Sequence, residues 1–154
     1  KPVTANAAEA SVSASIEEEN SYISFQDEAY QNEFLRRVNN ERVKAGLKPV
    51  QLGDSNHNSA AQERAEEIAT VNSHVRPNGT KWYTVLSEYG VTDAAAGENA
   101  AWGSVSPEEV VNAWMNSEGH RANILDPEAR AMGVGYYYNS SSTWGHQWIQ
   151  LFTK

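Results

Sequence analysis

The chain has 154 residues, enough for one domain with a substantial core. Its formal charge of −8, without a basic stripe, argues against nucleic acid and anionic membrane surfaces as partners. It contains no cysteine, which removes disulfides, thiolate metal sites and cysteine nucleophiles together, and no apolar run approaches the ~20 residues of a membrane span.

Residues 1–25 read as a flexible tail or linker. Residues 1–20 of this stretch are rich in Ala, Ser, Val and Glu, end in the acidic run Glu17-Glu18-Glu19 before Asn20, and offer only Val3, Val12 and Ile16 as larger apolar side chains to bury. The chain starts at Lys1 with no basic or apolar leader, which fits a mature product whose export signal has been removed.

The domain is expected over residues 26–154. Ser24 or Asp27 can cap a first helix, along which Tyr30, Phe34, Leu35, Val38 and Val43 approximate one face. Gly46 ends that helix, and residues 47–52 cross over in extended form. A second helix, about Asn56 to Val71, carries Ala60, Ala61, Ala65, Ile68 and Ala69 on one side. His57 shares that side and reads as a core residue rather than a ligand.

Residues 73–80 form a loop by their Pro, Asn and Gly content, and a short helix is expected from about Lys81 to Tyr89. On local sequence His74 reads as a surface loop histidine, although a helix end lets it point into a cleft. In Gly97-Glu98-Asn99-Ala100-Ala101-Trp102, a strand or turn with small neighbours brings Glu98 close to another backbone. A carboxylate there needs a metal, a histidine or an arginine as partner.

Ser106-Pro107-Glu108-Glu109 is a well-formed helix start, with a cap, a proline at the first position and acids in the first turn. Val110, Val111 and Trp114 supply the inner face of that helix, which is expected to break at Gly119. His120, Arg121 and Asn123 follow the break as a polar cluster before Ile124-Leu125. They mark either a cleft floor or a helix corner. Residues 132–138 and 143–153 then read as antiparallel strands joined by an Asn-Ser turn. Both strands carry apolar residues on both faces, which calls for helices on each side of the sheet. His146, beside Trp144 and Trp148, is read as a packing or rim residue.

Taken in order, Gly97-Glu98-Asn99-Ala100-Ala101, then Trp114-x-x-Ser117-x-Gly119-His120-Arg121-x-Asn123-Ile124-Leu125, then Gly133-Val134-Gly135 resemble the bacterial branch of the CAP superfamily. That superfamily is named for cysteine-rich secretory proteins, antigen 5 and pathogenesis-related 1 proteins, and is also called SCP-like. The Asn39-x-x-Arg42 helix with Gly46-Leu47, and the Ala60-x-x-x-Arg64-Ala65 helix, resemble its opening helices.

The resemblance implies an α+β fold, a three-layer α-β-α sandwich around a small antiparallel sheet. It also implies an extracellular protein, secreted or displayed at the cell surface. Family members share a central cleft with two histidines and two acids, and several bind a divalent metal there. By motif, His74 and His120 are the histidines and Glu98 the first acid. The second acid, three residues after the helix tryptophan in many members, is replaced here by Ser117, and the adjacent Glu118 would point elsewhere.

Two imidazoles without further fixed ligands imply a weak, exchangeable site for zinc or another divalent cation. Glu98 is expected to orient a histidine through its ring N–H, with Asn99, Ser117 and Arg121 around it. The cleft, with Trp82, Tyr83 and Trp102 near its rim, is expected to take a small ligand, lipid, glycan or peptide, in a protein expected to be a monomer. The alternative is a metal-dependent, protease-like hydrolase in which Glu98 is the general base and His120 a second catalytic group. Neither a His-Glu-x-x-His helix nor a Gly-x-Ser-x-Gly elbow is present, and Ser117 with His120 lacks a third orienting group, so a binding module is favoured over an enzyme. A third reading treats the domain as a spacer with a vestigial cleft.

Overall fold

A computed structural model of the chain describes residues 29–154, of which 31–154 belong to one compact unit. The tail expected over 1–25 and the helix start near Ser24 or Asp27 lie outside the described residues. The described elements are α1 (29–44), β1 (Gln51–Leu52), α2 (Ser55–Ile68), α3 (Thr84–Glu88), β2 (Ala95–Trp102), α4 (Pro107–Met115), α5 (Glu118–Ile124), β3 (Ala131–Tyr138) and β4 (His146–Thr153).

Phe34, Val38 and Arg42 recur at four-residue steps in α1 and form its buried stripe. Val43, expected on that face, is 59% exposed. Arg42 turns inward instead because its fork can satisfy several carbonyl groups at once. It donates to the carbonyl oxygens of Lys48 (2.8 Å), Ile124 (2.8 Å) and Asp126 (2.7 Å), joining three segments of chain. Gly46, at φ +78°, takes the left-handed conformation that ends the helix. Asn39 then fixes the crossing segment by pairing with both the N–H and the carbonyl of Val50.

The sheet runs in the order β1-β3-β4-β2. β4 is antiparallel to both β3 and β2, whereas β1 is parallel to β3. The sheet is therefore mixed, not wholly antiparallel as expected. The long excursion through α2, α3, β2, α4 and α5 between β1 and β3 is what allows the parallel pairing.

Helices cover both faces, as the apolar character of both sides of β3 and β4 required. On one face Ala60, Ala61, Ala65 and Ile68 of α2 and Val85 and Leu86 of α3 pack against Ala100, Ile149 and Leu151. The approach of α2 is close enough that a side chain at Gly135 would strike the Ala61 carbonyl. On the other face Phe34 sits between Trp114 and Trp148, at ring separations of 5.8 and 5.4 Å. The architecture is an α-β-α sandwich.

Two histidines belong to this framework. His57 is buried and its Nε2 meets the Leu151 carbonyl at 2.9 Å. His146 packs against Tyr136 and Tyr138, with its Nδ1 2.7 Å from the Tyr136 hydroxyl. Among the described residues no helix is long and apolar enough to cross a membrane.

Candidate functional site

Alternation along β2 sends Glu98 to the α2 face and Asn99 to the face covered by α4 and α5. Glu98 is only 4% exposed, so its charge must be matched from within the protein. The match is Arg64, whose Nε lies 2.8 Å from Oε2 and whose Nη2 lies 2.9 Å from Oε1, a two-point fork. His74 adds a third bond, its Nδ1 lying 2.8 Å from Oε1. His74 is the outermost member, with its side chain 60% exposed. An ion pair in the core is thus connected to an imidazole at the surface.

The loop that carries His74 is held by its own backbone and by Arg76. The N–H of Trp82 donates to the His74 carbonyl, and the N–H of Arg76 donates to the Thr80 carbonyl. Gly79, at φ +84°, makes the tight turn between them. Arg76 is buried and grips Glu67 of α2 through Nε and Nη2 while its Nη1 reaches Thr84 and Glu88 of α3.

His120 comes from the opposite layer. The chain breaks at Ser117 (φ −116°, ψ 121°), and Gly119 lies inside α5 with no left-handed turn, contrary to expectation. Asn116 and Ser117 are residue types that compete with the helix through local hydrogen bonds, and Glu118 favours a new helix start. His120 therefore sits in the first turn of α5, where its carbonyl accepts from Asn99 Nδ2 at 3.1 Å. Asn99 also donates to Gln150 within the core.

The two site histidines have opposite proton affinities. The hydrogen bond to Glu98 raises His74 above the ordinary histidine value against the cost of burial. Burial lowers His120, and the charge of His74 lowers it further. Neutral His120 offers a lone pair at neutral pH, and His74 keeps Nε2 free while Nδ1 faces Glu98.

Of the residues expected at the site, His74 and Glu98 meet through their side chains, and Asn99, the next residue along β2, holds the backbone of His120. Ser117 is half-buried and its hydroxyl makes no hydrogen bond to His120 or to the backbone of α5. Arg121 is exposed and lines a separate depression with Met115, Asn116, Glu118, Ala122 and Leu125. Trp82 and Trp102 pack against the core cluster and leave Tyr83 as the exposed aromatic beside the loop.

Arg64 and Asn123 are site residues that sequence reasoning left in their motifs without a role. A signal for Arg64 was present: it occupies the alanine face of a helix, where a guanidinium must find a carboxylate. Asn123 donates to the Glu98 carbonyl, and a side chain at Gly97 would collide with it.

Among the described residues, no three His, Cys, Asp or Glu side chains converge as a metal-binding group. The nitrogen donors that could serve a cation are those of His74 and His120, while Glu98 stands behind His74 with both oxygens engaged.

Residues 35–152 match the family described as CAP: Cysteine-rich secretory protein family. A relative from Bacillus subtilis, the uncharacterized protein YkwD, is 41% identical over 123 residues, covering 79% of this chain and 47% of YkwD. The chain thus spans about half the length of that relative. Among solved structures, an extracellular protein containing a SCP domain from Bacillus anthracis matches with a TM-score of 0.72 at 24% identity, covering 83% of this chain and 41% of the other. An outer surface protein from Borrelia burgdorferi matches with a TM-score of 0.71 at 21% identity, covering 84% of this chain and 94% of the other. These two likenesses concern the fold. With the family match over most of its length and the 41% identity to YkwD, this cysteine-free chain belongs to the CAP, or cysteine-rich secretory protein, family.

Proposed function

We propose that the domain works outside the cytoplasm as a binding module. In this reading its cleft beside β2 holds a small ligand, lipid, glycan or peptide, and a divalent cation such as zinc is held weakly by His74 and His120. Support for the location comes from fold relatives described as extracellular and outer-surface proteins. A bound cation would supply a positive centre with open positions for a ligand oxygen. Glu98 orients His74, and Asn99 holds the backbone of His120.

The observation that carries this reading is the 2.8 Å bond between His74 Nδ1 and Glu98 Oε1. A buried carboxylate behind an exposed imidazole fixes the ring and directs its other nitrogen outward, the arrangement that supports metal-binding histidines. The same bond weighs against the hydrolase alternative. A general base needs an oxygen within reach of water. The Glu98 side chain is 1% exposed and Arg64 pairs with both of its oxygens.

Calorimetric titration with Zn²⁺ at neutral pH tests the proposal, using wild type and the double variant His74→Ala/His120→Ala. Saturable one-to-one heat in the wild type that vanishes in the variant is the expected result. Identical traces from the two proteins would remove the metal from the proposal. Thermal-shift screens of lipids and glycans then test the cleft, with stabilisation and no product as the expected signature.

A further inference from the structure

The small-residue face of α2 carries one buried charge, Arg64. Ala60, Ala61 and Ala65 let the helix lie against the sheet, and that closeness brings the guanidinium up to β2. Its donors serve three partners. Nε and Nη2 hold the two oxygens of Glu98, Nη1 meets Glu67 at 2.9 Å, and Nη2 also reaches the carbonyl of Ser73 at 2.9 Å. Ser73 immediately precedes His74. One rigid planar group therefore fixes both the acceptor that His74 uses and the backbone from which His74 projects.

We infer that Arg64 is the positioning residue for His74: by locking Glu98 to Ser73, it holds the imidazole in the form with hydrogen on Nδ1 and the lone pair on Nε2. A neutral imidazole takes the tautomer selected by the hydrogen bond at its other nitrogen. With the hydrogen on Nε2, the Nδ1 lone pair would face Glu98 Oε1 at hydrogen-bond distance, acceptor against acceptor. A lysine at position 64 would keep the charge but present a single ammonium in place of the fork that spans both carboxylate oxygens and the loop. Glu67 braces the arrangement from behind, since Arg76 grips it from the far side of the loop. The consequence for metal affinity rests on the function proposed above, whereas the tautomer of His74 does not.

The test is imidazole ¹⁵N spectroscopy of the whole metal-free chain, at a pH where the rings are neutral, on wild type, Arg64→Lys and Glu67→Gln. The wild type is expected to show His74 as one tautomer with hydrogen on Nδ1. Arg64→Lys should populate the other tautomer and weaken Zn²⁺ binding about 10–100-fold, as loss of a group supporting a ligand does. Glu67→Gln should shift His74 the same way by less. The buried His57, bonded to the Leu151 carbonyl, reports in each spectrum whether the fold is intact.

A folded Arg64→Lys with the His74 tautomer unchanged would overturn the inference, and so would mixed tautomers in the wild type. If Arg64→Lys does not fold, Glu67→Gln decides by the same criterion. If the wild type binds no Zn²⁺ while the tautomer responds as stated, the metal reading fails and the positioning role stands. Normal Zn²⁺ binding with an unresponsive tautomer gives the reverse result.

Discussion

The side-chain amide of Asn123 donates to the backbone carbonyl of Glu98 at 3.2 Å and to Asn99 Oδ1 at 2.9 Å, so α5 fastens itself to the strand that carries the site. Two residues along β2, the indole N–H of Trp114 donates to the Ala100 carbonyl at 2.9 Å. Carbonyls two residues apart on a strand point the same way, here away from β4.

Asn123→Ala removes both amide bonds and leaves the Glu98 carbonyl without its partner. The expected cost is about 1–3 kcal/mol, read from the midpoint of denaturant unfolding. An unchanged midpoint would mean that the amide does not hold the strand.

Gly97→Ala should act through the same side chain. Alanine normally suits a strand interior better than glycine, but here the added Cβ would run into the Asn123 amide. The variant is expected to lose stability, and Gly97→Ala with Asn123→Ala together should cost less than the sum of the two. Strict additivity in that double-mutant cycle would separate the two positions.

Acid sensitivity should trace to His57. Burial lowers its pKa, with the Leu151 carbonyl, Asp54 and Asp93 pulling the other way. The unfolded chain binds the proton below about 6.5, so the stability of neutral His57 is present above that pH and is lost as pH falls toward the folded value. His120 contributes with the same sign. His74, raised by Glu98, is opposite: its contribution is full below about 6.5 and is lost as pH rises through its folded value. His57→Gln should flatten the fall of Tm on the acid side, and an unaltered slope would assign the loss to other groups.

Trp114→Phe keeps an aromatic ring beside Phe34 but deletes the donor to Ala100. The orphaned carbonyl is expected to cost about 1–3 kcal/mol, measured by thermal unfolding. A smaller loss than Asn123→Ala would rank α5 above α4 in securing β2.

Cover on both faces of the sheet was legible in the apolar residues on both sides of β3 and β4, the three-layer sandwich itself came from the resemblance, and periodicity, caps and turns marked most of the elements. The Ser106-Pro107 start and the Gly46 stop stand where local chemistry placed them. The break before His120 did not, because glycine is permitted but not obliged to leave the helix, and Ser117 took that role. Glu98 was recognisable as a carboxylate in need of a partner, yet the choice of Arg64 depended on the depth to which α2 settles on Gly133 and Gly135. That depth is a tertiary quantity. Likewise, Arg42 displaced Val43 from the buried stripe because its carbonyl partners lie more than 80 residues away for Ile124 and Asp126, beyond any local pattern.

The side chains of Asn123 and Trp114 occupy hydrogen-bonding positions that a foreign β-strand would otherwise use. Helices α4 and α5 thereby also guard the edge of the sheet against self-association. Trimming either side chain would expose those carbonyls as a template for a second copy of the chain, so the loss would appear as lowered colloidal stability as well as a lowered unfolding midpoint.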